Sequence, residues 1–379
     1  MWYLQPGTLG LILACSVLFG LGAFLLRKST LRLTPFVALP GLVLLALASK
    51  RLAAFYCAYT VGSWLLVVLL RREQRLRRLK FVLFCLLDIV PFLYARFALL
   101  WDWPVLIPVL IGFAYNMLKA VDALFYVYYT KRAIPFPAYA NFLLFFPVLT
   151  GGPIFRYRDF IRYYTTPAVP TAAVTLACFR RMILGLFKKL VVVTWCATLV
   201  NHLLTLEPRF LVSLLLSLSS YALLYFDLSG YSDMAIACGT LAGIPTPENF
   251  KNPLSAASFT QFWRKWHVTL SDWIREHIFV VVNGKRLSRA ASALIGFLTM
   301  IVMSLWHEFS LYALIDGAVL GAVLAAENLL GITTVDKRKT KRWVYLVRCA
   351  LVTLLFAVNA MFFTMSHDQL LRALGGFLK

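Results

Sequence analysis

The stretch Thr8-Leu-Gly-Leu-Ile-Leu-Ala-Cys-Ser-Val-Leu-Phe-Gly-Leu-Gly-Ala-Phe-Leu-Leu26 runs without a single charge. About 20 apolar residues wound as a helix cross the hydrocarbon core of a bilayer. No small-residue cleavage site behind a charged leader marks this run, so it reads as a retained span and not as a signal peptide. Similar runs follow at 35–49, 52–70, 80–101, 104–129, 171–205, 209–226, 290–305, 311–331 and 343–364. The 35–49 run is short, and 171–205 reads as one span plus an interfacial helix.

Composition agrees. Of the 379 residues 61% are hydrophobic and 14% charged. A soluble domain averages roughly 45–50% apolar and about 25% charged. The expected fold is therefore all-α and polytopic, one membrane domain over 1–379. Its parts are N-terminal spans (1–135), a core (136–310) and C-terminal spans (311–379).

Lys and Arg total 38 against 16 Asp and Glu, a formal charge of +22. The excess gathers at the ends of apolar runs: Arg27, Lys28 and Arg32, then Arg71, Arg72, Arg75, Arg77, Arg78 and Lys80, then Lys131 and Arg132. Positive loops favour the cytoplasmic side and anionic headgroups of the lipid bilayer. That places the N-terminus outside the cell, with Lys50 and Arg51 as the exception. No nucleic-acid motif accompanies the charge, so nucleic acid is not an expected partner. Seven cysteines are scattered without a CxxC pair, and no metal-ligand spacing such as HExxH occurs. P-loop, GxGxxG and GxSxG patterns are absent too, which counts against nucleotide-driven transport and nucleophile-elbow hydrolysis.

Two stretches break the pattern of spans. Asn141–Thr150 is apolar but too short to cross, and Gly151-Gly-Pro-Ile-Phe-Arg-Tyr-Arg158 ends it, which reads as a re-entrant segment. Residues 227–289 are too polar to span and too aromatic for a free loop. Within them, Gln261 to Phe279 reads as an amphipathic interfacial helix.

Two histidines stand out. His307, in Ile301-Val-Met-Ser-Leu-Trp-His-Glu-Phe-Ser310, ends an apolar run, where an ionisable residue is costly and functional by default. Its neutral imidazole can accept a hydroxyl proton. The competing reading is a histidine bonded to a neighbouring helix. His267, in Phe262-Trp-Arg-Lys-Trp-His-Val-Thr-Leu-Ser-Asp-Trp273, is as well explained by an interface belt as by function. Asp227, Ser229, Tyr231, Ser232 and Asp233 interrupt an apolar run; they line a polar cavity or cap a helix beginning near Ser232. Pro247–Pro253 reads as a turn. His202, His277 and His367 have no supporting context.

Taken together and in order, four pieces resemble the signature of the membrane-bound O-acyltransferases: Tyr225–Ile236, Pro247-Glu-Asn-Phe-Lys-Asn-Pro253, Gln261–Arg275 and Leu305-Trp-His307. Gly152-Pro153-Ile154 with Arg156 is similar to a further shared motif. The resemblance implies a ring of helices with re-entrant and interfacial pieces around a central tunnel. It implies catalysis by His307 as base, with His267 on the donor path. Trp263, Arg264, Trp266, Trp306, Asp227, Ser229, Tyr231, Asn249, Asn252, Pro153 and Arg156 become candidate lining residues.

Chain length and the order of the first spans resemble the DltB branch, which serves D-alanylation of teichoic acids. That branch implies no resident cofactor and no metal. It implies a donor thioester on the phosphopantetheine arm of an acyl carrier protein, docked on the cytoplasmic face near 262–289. The acceptor is then a small membrane partner or the polymer itself. The acetyl-transferring branch that acts on alginate or peptidoglycan is the alternative, and a transporter or scaffold is the reading from another class. Three departures from the family pattern are visible: Phe155 where the D-alanyl branch carries Asp, Glu308 where the family carries Gly, and a 308–321 stretch without its usual second aromatic and His. Glu308 would put an acid beside His307.

Overall fold

Backbone N–H and C=O groups in lipid must be satisfied within their own segment, so long apolar runs wind into helices. The computed structural model describes residues 6–25, 34–72, 75–101, 112–279 and 288–379, and no strand occurs among them. The helices are α1 (Pro6–Leu25), α2 (Ala38–Ala48), α3 (Lys50–Arg72), α4 (Arg77–Leu100), α5 (Phe113–Thr130), α6 (Phe136–Leu143) and α7 (Tyr157–Thr165). Then come α8 (Ala172–Leu203), α9 (Phe210–Leu241), α10 (Phe259–Trp263), α11 (Val268–Ile274), α12 (Arg289–His307), α13 (Leu311–Leu330), α14 (Arg342–Thr364) and α15 (His367–Gly375). Seven of the described helices, α3, α4, α8, α9, α12, α13 and α14, are long and apolar enough to cross a membrane. The basic cluster Arg27, Lys28 and Arg32 and part of the expected 104–129 span lie outside the described residues.

The chain forms two compact units: Met1–Ile183 with Ser232–Pro247, and Leu184–Tyr231 with Glu248–Lys379.

In the first unit the expected half-span is a short helix, α6, that starts earlier than the apolar run predicted and stops at Leu143. The chain then passes through a single 3-10 turn, Phe146–Val148, and a buried loop to α7. Such backbone survives only when the protein supplies its hydrogen bonds. One face of α5 does so. Lys119 Nζ donates to the Leu143 carbonyl at 2.7 Å, and Asn116 Nδ2 to the Leu149 carbonyl at 3.0 Å. One turn on, Asp122 Oδ2 accepts from the Tyr157 N–H at 2.6 Å at the start of α7. Phe155 is buried against Phe145 and Phe160, ring centroids 6.3 and 5.9 Å away. An aspartate in that aromatic pocket would be a charge stripped of water, so the departure at this position matches its surroundings.

Three expectations are corrected. The polar segment 227–233 neither breaks α9 nor begins a new helix; the helix continues through it to Leu241. Charge neutralisation makes this possible. Asp227 accepts from Lys189, and Asp233 accepts from Arg181 Nε at 2.9 Å, both donors standing on α8. Gly230 lets α8 come close to α9, because a Cβ there would lie 2.9 Å from the Gly185 carbonyl oxygen. Residues 261–279 are likewise not one interfacial helix. They are α10, a turn through residues 264–267, α11 and a π-helical turn, Arg275–Phe279, and most of their apolar side chains are buried in the protein. The 171–205 run is one long helix, α8, containing a single π-helical turn at Lys188–Val192.

Candidate functional site

The second unit carries both signature histidines. His267 adopts a φ of 44°, in the left-handed region that few non-glycine residues occupy. Helix α10 stops at Trp263, and after the turn through residues 264–266 this residue caps the start of α11. Its carbonyl accepts from the N–H groups of Leu270 and Ser271 at 3.0 and 3.1 Å.

The turn is clamped on both sides by the 247–253 loop. Lys251 N donates to the Lys265 carbonyl at 2.9 Å, and Val268 N to the Asn249 carbonyl at 2.8 Å. Asn249 Oδ1 also accepts from Thr269 Oγ1 at 2.8 Å. What reads in sequence as an ordinary turn is therefore the bracket that fixes His267. Beside it, Trp266 is enclosed by Phe262, Phe356, Phe250, Tyr221 and Tyr225, with ring centroids between 4.7 and 6.0 Å away.

Below the turn, α10 is seated on α13. The Glu327 carboxylate accepts from Phe259 N at 2.6 Å, Thr260 N at 2.8 Å and Thr260 Oγ1 at 2.7 Å. A carboxylate suits the positive end of a helix and satisfies N–H groups that have no partner within it. Trp263 packs on Phe259, Phe262 and Phe356, and exposed Arg264 reaches Thr334 Oγ1 at 3.3 Å.

His267 is 4% exposed and lies outside the seven candidate spans. Burial pushes its imidazole down to about 3, and the neighbouring His307 adds to the effect. Near neutral pH the ring is uncharged.

His307 is the last residue of α12, exposed, with its ring 4.7 Å from that of Trp306 and 5.3 Å from that of Phe363. The acid expected beside it is turned elsewhere: Glu308 Oε1 meets His367 Nε2 at 3.3 Å, and His367 stacks on Tyr312 at 4.0 Å. His367, which has no supporting context in the sequence, is thus part of the same rim. One turn below His307, Ser304 Oγ donates to Asp316 Oδ2 at 2.8 Å, and Asn359 Nδ2 donates to Asp316 Oδ1.

A cavity of about 430 Å³ opens beside the pair, lined by Trp263, Arg264, Ser271 and Arg275 on one side and Gly296, Met300 and Met303 of α12 on the other. On a helix, positions three or four apart share a face. Gly296, Met300, Met303 and His307 therefore form one stripe, and Ser271 and Arg275 follow His267 at one and two turns. Neither histidine lines the cavity itself; Ser271 and Met303, which do, stand one turn from His267 and His307 respectively.

The other candidates are placed as follows. Asp227 is held by Lys189; Ser229 is buried and Tyr231 half-buried on α9. Asn252 is exposed, at φ 53°, and its carbonyl accepts from Ser255 Oγ at 2.8 Å. Pro153 and Arg156 belong to the first unit, where both are buried and Arg156 faces Asp122 at 3.9 Å. Among the described residues no cluster of three His, Cys, Asp or Glu is arranged to hold a metal ion.

Residues 129–367 match the model of the MBOAT, membrane-bound O-acyltransferase, family. A Pseudomonas fluorescens protein described as a probable alginate O-acetylase, AlgI, is 33% identical over 64% of this chain and 49% of its own length. A Helicobacter pylori peptidoglycan O-acetyltransferase is 31% identical over 48% of this chain and 36% of its own. A Bacillus subtilis teichoic acid D-alanyltransferase is 27% identical over 52% of this chain and 53% of its own. The matched part spans about half the length, or less, of these curated relatives. With the family model covering well over half of its residues, and with the histidines, the 247–253 bracket and the spans in place, the chain belongs to the membrane-bound O-acyltransferase family.

Proposed function

We propose that this chain transfers an acyl group from a thioester to a hydroxyl, with His307 as the general base. The observation that carries the reading is the pairing of an accessible imidazole, His307, with a neighbouring neutral one, His267, that is buried and held in a bracketed turn. A base has to reach the proton it removes, and exposed His307 is open to an acceptor as large as a polymer. As His307 takes the hydroxyl proton, the oxygen attacks the thioester carbonyl. The C–S bond breaks, the acyl ester forms, and the imidazolium returns its proton to the departing thiolate. His267 and the cavity behind it would hold the donor arm, with Trp263, Trp266 and Arg264 around its path. A donor of this kind needs no resident cofactor.

For the acyl group and acceptor, the reading we favour is O-acetylation of a cell-envelope polysaccharide. Relatives described as alginate O-acetylases match at 33% and 36% identity, whereas those described as teichoic acid D-alanyltransferases match at 27% and 32%. Phe155 supports the same choice. The second reading is D-alanyl transfer from an acyl carrier protein, favoured by the exposed basic face of Arg264, Arg275 and Lys251, which suits an acidic carrier docked from the cytoplasm. Both readings place the basic loops in the cytoplasm and treat the ring of helices and its tunnel as the family's shared frame.

The deciding experiment offers purified protein in lipid vesicles two labelled donors, an acetyl thioester and a D-alanyl carrier protein, together with a hydroxyl-bearing glycan. Acetyl label on the glycan supports the first reading, and D-alanyl label the second. Movement of donor across the vesicle without a new ester would support a transporter, and no reaction with either donor would point to a scaffold.

A further inference from the structure

His307 ends a helix, and the last turn of a helix is where backbone order is weakest, because its final carbonyls have no partner within the helix. A catalytic imidazole placed there needs an anchor. Directly beneath it lies an arrangement that no sequence motif announced. Asp316, in the second turn of apolar α13, is 4% exposed and receives two donors from two different helices: Ser304 of α12 and Asn359 of α14. Ser304 precedes His307 by three residues, so both project from the same side of the final turn. Its carbonyl also accepts from Glu308 N at 3.0 Å, which closes that turn.

Holding α12 against α13 does not require this carboxylate. The two helices already meet at Gly317, where an added Cβ would lie 2.7 Å from Ile301 Cα and 2.9 Å from the Met300 carbonyl oxygen. An acidic group in an apolar helix is costly, and apolar packing of similar volume would serve stability as well or better. The network sits at the one end of the α12–α13 contact that carries His307.

We propose that Asp316, with Ser304 and Asn359, is a positioning residue that fixes the last turn of α12 and so the direction in which His307 presents its imidazole. The inference rests on the reading of His307 as the base. The carboxylate locks Ser304 to α13, and Asn359 locks the carboxylate to α14, so three helices define the position of one side chain.

The test uses full-length protein in lipid and the transfer assay, with kcat and KM for donor and acceptor measured per monodisperse protein. Asp316→Asn leaves one acceptor oxygen for two donors, so it breaks or reverses one of the two bonds, and should lower kcat about tenfold or more, with both KM values within about twofold, as expected for a small misplacement of a reacting group. Asn359→Asp alone should do the same. The exchange Asp316→Asn with Asn359→Asp restores complementary donors and acceptors and should recover most of the rate. Ser304→Ala should lower kcat, and adding it to Asp316→Asn should cost little more, because both cut one network. The proposal is overturned if Asp316→Asn and Ser304→Ala leave kcat unchanged, or if the exchange fails to recover it while the protein remains folded. A separate control isolates the underlying reading: if His307→Ala retains full transfer, the base assignment falls, and the positioning role falls with it.

Discussion

The two histidines sit in opposite kinds of structure. His267 is buried in a left-handed turn bracketed by Asn249, Lys251 and Lys265, and follows Trp266, which is packed among aromatic rings. His307 stands exposed at an open helix end, held from below through Ser304. One is positioned by everything around it, the other by a few bonds at its base. In the proposed transfer, the residue that meets a large acceptor must be reachable, and the one that frames the donor must not move. Altering the first should therefore damage chemistry, and altering the second should damage structure.

The sharpest way to break this contrast is His307→Ala. Loss of a general base removes about 10²–10⁴-fold of rate. An exposed side chain should leave unfolding within about 0.5 kcal/mol of the parent. Comparable losses of stability and activity would erase the distinction. The converse change is Trp266→Ala, expected to cost about 3–5 kcal/mol, because the enclosing rings cannot close over the space. Denaturation in detergent reads it, and a near-neutral result would show that the aromatic wall contributes little to the fold.

Acidity offers a third test. His267 is uncharged when folded down to about 3, whereas an unfolded imidazole titrates near about 6.5. The unfolded state thus binds more protons between these values. Stability from this group is complete above about pH 6.5 and falls as pH drops toward 3, by up to about 1.4 kcal/mol per pH unit. Wild type should weaken between pH 7 and 5 by more than His267→Gln does; parallel curves would contradict the buried, neutral state. The smallest effect is expected at the rim, where Glu308 and His367 meet with both side chains open to solvent. An exposed pair of this kind is worth little, so Glu308→Gln should shift the unfolding free energy by less than about 1 kcal/mol. A larger shift would make the rim part of the frame that holds His307.

The spans were legible in the sequence, because hydrophobic length is a local property. So were the histidines, set apart by a polar group in apolar company. The turn at His267 was not. Nothing in Lys265-Trp-His-Val268 announces a left-handed residue, and the bracket that stabilises it comes from a loop some 15–20 positions earlier. The continuity of α9 through Asp227 and Asp233 was hidden for the same reason, since the neutralising Lys189 and Arg181 lie far back in the chain. Asp316 and Glu327 are different. Both are acids within an apolar run, a signal that is present in the sequence. Their partners at Ser304, Asn359 and the start of α10 could not have been inferred without the fold.

The wide turn at Lys188–Val192 bears on how this protein can vary. A helix advances about 100° per residue, and a π-helical turn accommodates one residue more than an α turn. Everything after it in α8 is out of phase with everything before. Cys196, Val200 and Leu203 are buried in that shifted phase, and Val200 and Leu203 pack with Leu216, Met361 and Leu370. Exposed positions inside the turn, such as Leu190 and Val191, are free to exchange for other apolar residues. Losing a single codon there can be absorbed by the turn itself, which would relax from π to α and leave the second half of the helix on its present face, whereas a deletion in the α-helical part of α8 would swing that half by about 100°. Drift in length should therefore be tolerated at this turn and resisted in the regular parts of α8.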